Sequence, residues 1–214
     1  MPEYTKQMLV EAISKAIQLG GNKRNFKQSV EMIIILRDLD IKSQAGKIRE
    51  SVLLPKGRGK DLKICVVTEG EAVEEIKAAG ALMVLTPNDL QNMNKKQAKK
   101  IAASCDWLLV KQSLMGLVGR VLGPALGPRG KIPMPLPPSA NLKALINRYK
   151  NTILVRIKDQ PQISVSIGTE DMSAEDLAEN ALAVLSTLRT RLPSGEANIN
   201  HIVFKTTMGT PVEV

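Results

Sequence analysis

The sequence predicts an α/β protein of two domains: an α+β domain split in sequence by an inserted, Rossmann-like three-layer α/β domain. Three observations predict it. Residues 1–58 and 154–214 share one grammar, an amphipathic helix with β-rich or alternating strands. Residues 59–153 use another, short continuous apolar strands separated by helical stretches, which is how a parallel sheet covered on both faces reads. The chain therefore crosses between the domains twice, near Gly57 and near Asn151. Two crossings side by side make a two-stranded hinge, which on geometric grounds bends about one axis and resists twist.

The elements follow in order. Met8, Leu9, Ala12, Ile13, Ala16 and Ile17 recur at helical spacing over 3–19, and Gly20-Gly21 stops that helix. Gln28–Leu36 is β-rich and reads as a strand. Asp38–Lys47 is a polar connection, and Ile48–Leu54 is a second strand ended by Pro55. PKGRGK (55–60) breaks the chain. In the insert, LKICVV is a strand, EAVEEIKAAG a helix and LMVL a strand. Thr86-Pro87-Asn88-Asp89 then caps one helix running to Ser104, and DWLLV is the third strand. Asn141–Lys150 is a helix. After it ILVRI and ISVSI are strands, the latter with Ile163, Val165 and Ile167 on one face. Ser173 and Asp176 make a capping-box-like start to a helix ending at Leu192. Pro193-Ser194-Gly195 turns the chain into a last strand, Ile199–Thr207.

Ser113–Pro138 stands apart, with five glycines and six prolines in 26 residues. Proline fixes φ and removes a donor, while glycine opens φ > 0. One long helix or a central strand is therefore excluded. The apolar start SLMGLVGRVL predicts a short helix, followed by an ordered loop that presents Arg129 and Lys131.

The 214 residues carry a net charge of +9, with an isoelectric point near 9.6. Such a surplus favours a polyanionic partner. No apolar run approaches the roughly 18 residues of a membrane span. The N-terminus lacks a basic flank before an apolar block, so it does not read as a signal peptide, and a cytoplasmic protein is expected. Cys65 and Cys105, 40 residues apart in apolar runs, read as buried free thiols rather than a disulfide or metal clamp.

Catalysis finds no anchor. His201 is the sole histidine, with no nucleophile motif beside it. Asp38 and Asp40 read as a solvated turn. A phosphate loop ahead of Gly130-Lys131 would need glycine at Ala125 and Ser or Thr at Ile132. The first strand turn of the insert, Val67-Thr68-Glu69-Gly70, carries no dinucleotide fingerprint. No enzyme, cofactor or metal is expected. A nucleotide-dependent enzyme built on the insert, and an RNA chaperone or processing factor, stand as alternatives to the reading that follows.

RNA binding fits better. Aromatics are 2% of the chain, which disfavours a base-stacking platform and leaves recognition by shape, phosphate and small polar contacts. Two stretches suit that. In GNKRNFKQSVE, Lys23, Arg24 and Lys27 surround Phe26, while Ser29 and Glu31 follow at alternating strand positions. In KTTMGTP, Thr206 and Thr207 offer hydroxyls, Met208 a flexible apolar contact, and Gly209 a backbone without a Cβ.

LMGLVGRVLGPALGPRGKIPMPLPP, Thr207-Met208-Gly209 and Asn25–Glu31 together resemble the large-subunit ribosomal "L one" family, in its archaeal form. The resemblance implies a protein of the mobile side stalk, monomeric outside the ribosome. Its discontinuous domain would bind the side-stalk junction of 23S rRNA through Phe26, Ser29, Glu31, Thr207, Met208 and Gly209. Bacterial members usually carry threonine where Ser29 stands, and His201 falls where they often have a small polar residue. The resemblance also implies contact with E-site tRNA, release of deacylated tRNA, and repression of its own mRNA through a leader that mimics the rRNA site. Charge alone points elsewhere. Residues 1–58 and 154–214 carry 16 basic against 14 acidic side chains, the insert 14 against 7. Arg129 and Lys131 on the insert are expected to make secondary RNA contacts, and the specific site is assigned to the split domain.

Overall fold

Thr5 ends an extended stretch and accepts a hydrogen bond from the Met8 amide, which starts helix α1 (Lys6–Leu19). A computed structural model describes residues 4–20, 24–41, 43, 46–70, 72–137 and 141–214. The chain divides into two units, residues 1–60 with 151–214 and residues 61–150. The divisions fall at 60/61 and 150/151 instead of 58/59 and 153/154.

In the split unit, β1 (Ser29–Leu36) lies between β9 (Ile199–Thr206) and β8 (Gln162–Thr169), with β10 (Val212–Glu213) at the edge. All pairings are antiparallel. Val30, Met32, Ile34 and Leu36 turn to one face and are buried. There they meet α1 and α8 (Ala174–Arg191) through Leu9, Ile13, Leu177, Val184 and Leu185. Ser173 caps α8 by accepting from the Asp176 amide at 3.1 Å. A separate antiparallel ribbon pairs β2 (Arg49–Leu53) with β7 (Thr152–Arg156), and its inner residues Val52, Ile153 and Val155 join the same core.

Asn180 on α8 is fully buried and fully bonded. It accepts from the Lys56 amide at 3.0 Å and donates to the carbonyls of Gly57 and Ile167 at 2.8 Å each. The chain leaving β2 is thereby fastened to the helix layer. Nearby, the Leu54 amide donates to Asn151 O at 2.9 Å. Gly57 takes φ +71, with the Asn151 carboxamide 3.2 Å from where a Cβ would stand.

The insert is a parallel sheet in the order β4-β3-β5-β6, built from β3 (Ile64–Val67), β4 (Met83–Leu85), β5 (Trp107–Lys111) and β6 (Met134–Leu136). One face carries α3 (Pro87–Gln91), α4 (Lys95–Ser104), α5 (Met115–Val121) and α6 (Gly123–Leu126), packed through Leu90, Ala98, Val118 and Leu122. The other carries α2 (Ala72–Ala78) and α7 (Leu142–Lys150), where the Tyr149 ring tilts against Trp107 at 5.3 Å.

Several expectations are corrected. The helix over 89–104 is two, because Asn94 restarts it, its amide donating to Gln97 Oε1 at 2.8 Å. The Gly/Pro segment supplies two short helices, α5 and α6, a 3-10 turn over Gly127–Arg129 and then β6. That strand tolerates Pro133 and Pro135 beside and within it because it is the edge of the sheet. The two-residue strand β10 lies in a C-terminal stretch given no strand by the sequence. Cys65 and Cys105 are not free thiols: they form a disulfide, with Cα atoms 5.7 Å apart. Cys105 is the residue that ends α4, and the β–α–β winding sets it beside β3. Intracellular disulfides are rare except in hyperthermophiles, so redox compartment is a poor guide here. Among the described residues no helix is long and apolar enough to cross a membrane, and no cluster of His, Cys, Asp or Glu could hold a metal.

Candidate nucleic-acid interface

The face of the β10-β9-β1-β8 sheet away from the helices carries the alternate residues Ser29 and Glu31 on β1 and Val203 and Lys205 on β9, all half-exposed. The sequence makes this face polar at one end and apolar (Ile33, Ile35) toward the other. At the polar end the strand termini converge. Pairing of Val30 with Thr206 brings the start of β1 beside the end of β9, 176 residues later in the chain.

Hydrogen bonds fix that junction. Ser29 N donates to Thr207 Oγ1 at 3.1 Å, and Thr207 N donates to Ser29 O at 3.0 Å. Gln28, 1% exposed, accepts from the Met208 amide at 3.1 Å and donates through Nε2 to Glu170 Oε2 at 3.0 Å. Its own amide donates to Glu170 Oε1 at 2.9 Å. Glu170 belongs to the turn after β8, so one buried carboxamide ties three chain segments together. Lys60 reaches in after Gly59 (φ +73) and donates to Ser29 Oγ at 3.3 Å and to Lys27 O. Lys27 itself pairs with Asp171 at 2.8 Å, and Lys205 Nζ donates to Thr207 O at 3.1 Å.

From this braced platform two apolar side chains stand out into solvent, Phe26 at 50% and Met208 at 60% exposure. Exposed apolar groups set in a rim of ammonium, hydroxyl and amide groups suit a folded polyanion with accessible base faces.

A family model, the ribosomal protein L1p/L10e family, matches residues 14–210. The chain belongs to that family. It is a family of ribosomal structural components, not of enzymes. Among curated relatives, a large ribosomal subunit protein uL1 from Staphylothermus marinus is 56% identical over all of this chain and 99% of its own length. Another from Aeropyrum pernix is 55% identical over 95% of this chain and 93% of its own, and one from Hyperthermus butylicus is 46% identical over 98% and 96%.

The family fold brings most of the expected residues together. Phe26, Lys27, Ser29, Glu31, Thr207, Met208 and Gly209 share the one region, with Arg24 exposed just before it. Lys23 lies outside the described residues. Thr206 does not belong to the surface. It faces the helices, fully buried, and its hydroxyl has no hydrogen-bond partner among the described residues. Gly209 is required by packing: a Cβ there would stand 2.8 Å from Gly20 Cα and collide with Thr206. On the insert, Arg129 is exposed, but Lys131 turns inward and donates to the carbonyls of Ala102 (3.0 Å) and Cys105 at the end of α4. Burial pushes its ammonium below the ordinary lysine value. It caps a helix and is not a free surface cation. His201 is exposed with Nδ1 against the Glu213 carboxylate, away from this junction at the other end of β9.

Sequence reasoning missed Gln28 and Glu170 as braces and Lys60 and Lys205 as rim cations. The alternation of β9 marks Lys205, two residues before Thr207, as facing the same way. Gln28 carries no such signal, since a buried glutamine looks like a surface residue until its partners are known.

Proposed function

We propose that the split unit of this large-subunit ribosomal protein binds 23S rRNA at the side-stalk junction, with Phe26 and Met208 packed on the RNA and Arg24, Lys27, Lys60 and Lys205 along its phosphates. Glu31 serves as an acceptor toward base or ribose hydroxyl donors, because a carboxylate beside phosphate is otherwise unfavourable. The observation that carries this is the pairing of two strongly exposed apolar side chains with a backbone junction locked by Gln28. Contact groups held in advance spend little ordering entropy on binding.

In this reading the protein moves with the stalk as deacylated tRNA leaves the E site, bending near Gly57 and Asn151, and Arg129 makes a secondary contact. The same face binds a leader in its own mRNA, so leader and rRNA compete. Filter binding to the stalk rRNA fragment tests the assignment. Met208→Asp places a charge against RNA and is expected to weaken binding about 100-fold, roughly 2.7 kcal/mol, whereas Lys96→Ala on α4 changes it less than about 3-fold. Equal or reversed effects refute the site.

A further inference from the structure

The segment that leaves β2 carries one cation for which the fold supplies no partner. In 55–60 (PKGRGK) a lysine, an arginine and a lysine are separated by single glycines, and no acid falls among them. Lys56 spans Asp176 and Glu179 of α8 at 3.3 Å each. Lys60 donates to Lys27 O and to Ser29 Oγ. Arg58 lies between them, half-exposed, with no hydrogen bond or ion pair among the described residues. Its guanidinium donors are therefore unspent, although the lysine on either side finds acceptors.

The backbone under Arg58 is fixed on both sides. Before it, Asn180 holds the Lys56 amide and the Gly57 carbonyl, and the Gly57 amide donates to Leu54 O at 3.1 Å. After it, Gly59 O accepts from Lys27 Nζ at 3.5 Å. Gly57 and Gly59 take φ +71 and +73, a region that side-chain-bearing residues rarely adopt. A Cβ on Gly59 would also collide with the Thr169 side chain. Two glycines enlarge the unfolded ensemble and so weaken the fold. What they provide is a braced turn that presents a single arginine, while Lys60 fastens the far end of the turn to Ser29 on the RNA face. A guanidinium on a rigid backbone loses little freedom on binding, and it meets phosphate through two parallel N–H donors.

We propose that Arg58 is a phosphate anchor for the stalk RNA. It extends the Phe26–Met208 face past Lys60 onto the segment that leads to the insert, and it grips one backbone phosphate through a paired N–H contact. The proposal rests on the RNA-face reading and adds a contact that neither strand-end motif contains.

The test measures affinity of the full chain for the stalk rRNA fragment at several salt concentrations. Arg58→Gln is expected to weaken binding about 10-fold and to shrink the slope of log K against log salt by about 1. Lys15→Gln removes an exposed charge from α1, on the helix side of the sheet, and should change affinity less than about 2-fold. Arg58→Lys keeps the charge, so it should restore the slope while recovering only part of the affinity. Ethylation of individual RNA phosphates locates the contact. One modified phosphate should block the natural chain yet make no difference to Arg58→Gln. An Arg58→Gln loss no larger than that of Lys15→Gln, or an interference pattern unchanged in the variant, overturns the proposal. Met208→Asp, run in parallel, separates the two readings. If it abolishes binding while Arg58→Gln is neutral, the anchor alone fails. If Met208→Asp is neutral while Arg58→Gln weakens binding, the RNA-face reading fails, and with it the anchor as an extension of that face.

Discussion

The split unit and the insert cover their sheets differently. In the insert, helices lie on both faces, so its side chains at the sheet are almost all apolar and its charges sit on helix exteriors such as Lys95, Lys96, Lys99 and Lys100 of α4. In the split unit, α1 and α8 lie on one face, and the other is left to Ser29, Glu31, Lys205 and their neighbours. Net charge runs opposite to that opportunity. Residues 61–150 carry 13 basic against 7 acidic side chains, the split unit 17 against 14. A count of charge thus marks a soluble exterior, while a recognition surface needs backbone and side-chain donors that the fold leaves uncovered and holds still.

The largest expected effect separates the two units by their fastenings. Reducing Cys65–Cys105, or replacing both with alanine, opens a crosslink spanning 40 residues, for which loop closure predicts a loss of about 4 kcal/mol. Hydrogen exchange should accelerate at β3 and β5 first. Unchanged exchange there would show that the bond contributes nothing in solution. In the split unit the counterpart is Asn180, and Asn180→Ala strands the Lys56 amide and two carbonyls for a loss of about 3 kcal/mol, read by denaturant unfolding. Lys131→Ala should cost about 1 kcal/mol by uncapping α4 and leave RNA affinity within about twofold. A large affinity loss would return Lys131 to the RNA surface.

The smallest effect is electrostatic and exposed. Asp176 is held below the ordinary carboxylate range by the Ser173 hydroxyl and then Lys56, and Glu179 by Lys6 and then Lys56. A carboxyl depressed in the folded state stabilises above its ordinary value. That contribution fades as pH falls through the folded value. Asp176→Asn should therefore flatten the acid end of the stability–pH curve, and salt should mask much of the difference in these exposed pairs.

Elements with a clear apolar period were legible in the sequence. The burial of Ile163, Val165 and Ile167 follows from alternation alone, whereas the unbroken apolar run Met32–Leu36 marks β1 as a strand without saying which of its residues turn inward. The site was legible in its parts, because Phe26 among polar neighbours and Thr207-Met208-Gly209 at a strand end are local patterns. Its unity was not, since it depends on Val30 meeting Thr206 across the sheet, and strand pairing over such a distance leaves no periodic trace. Thr206 and Thr207 show the limit well. Adjacent hydroxyls look alike in sequence, yet a one-residue step in a strand puts one in the core and the other at the surface. Gln28, Asn180 and Lys131 were hidden for the opposite reason, as polar groups that go inside because backbone groups await them there.

Pro135 sits in the middle of β6, the outermost strand of the insert's sheet, paired with Val110 on its inner side. With no N–H to offer outward, that margin cannot extend its ladder onto a passing chain. The opposite margin, β4, is three residues long. Newly made copies crowded together before assembly thus meet sheet borders that refuse to zip, a safeguard against clumping written into the segment richest in proline.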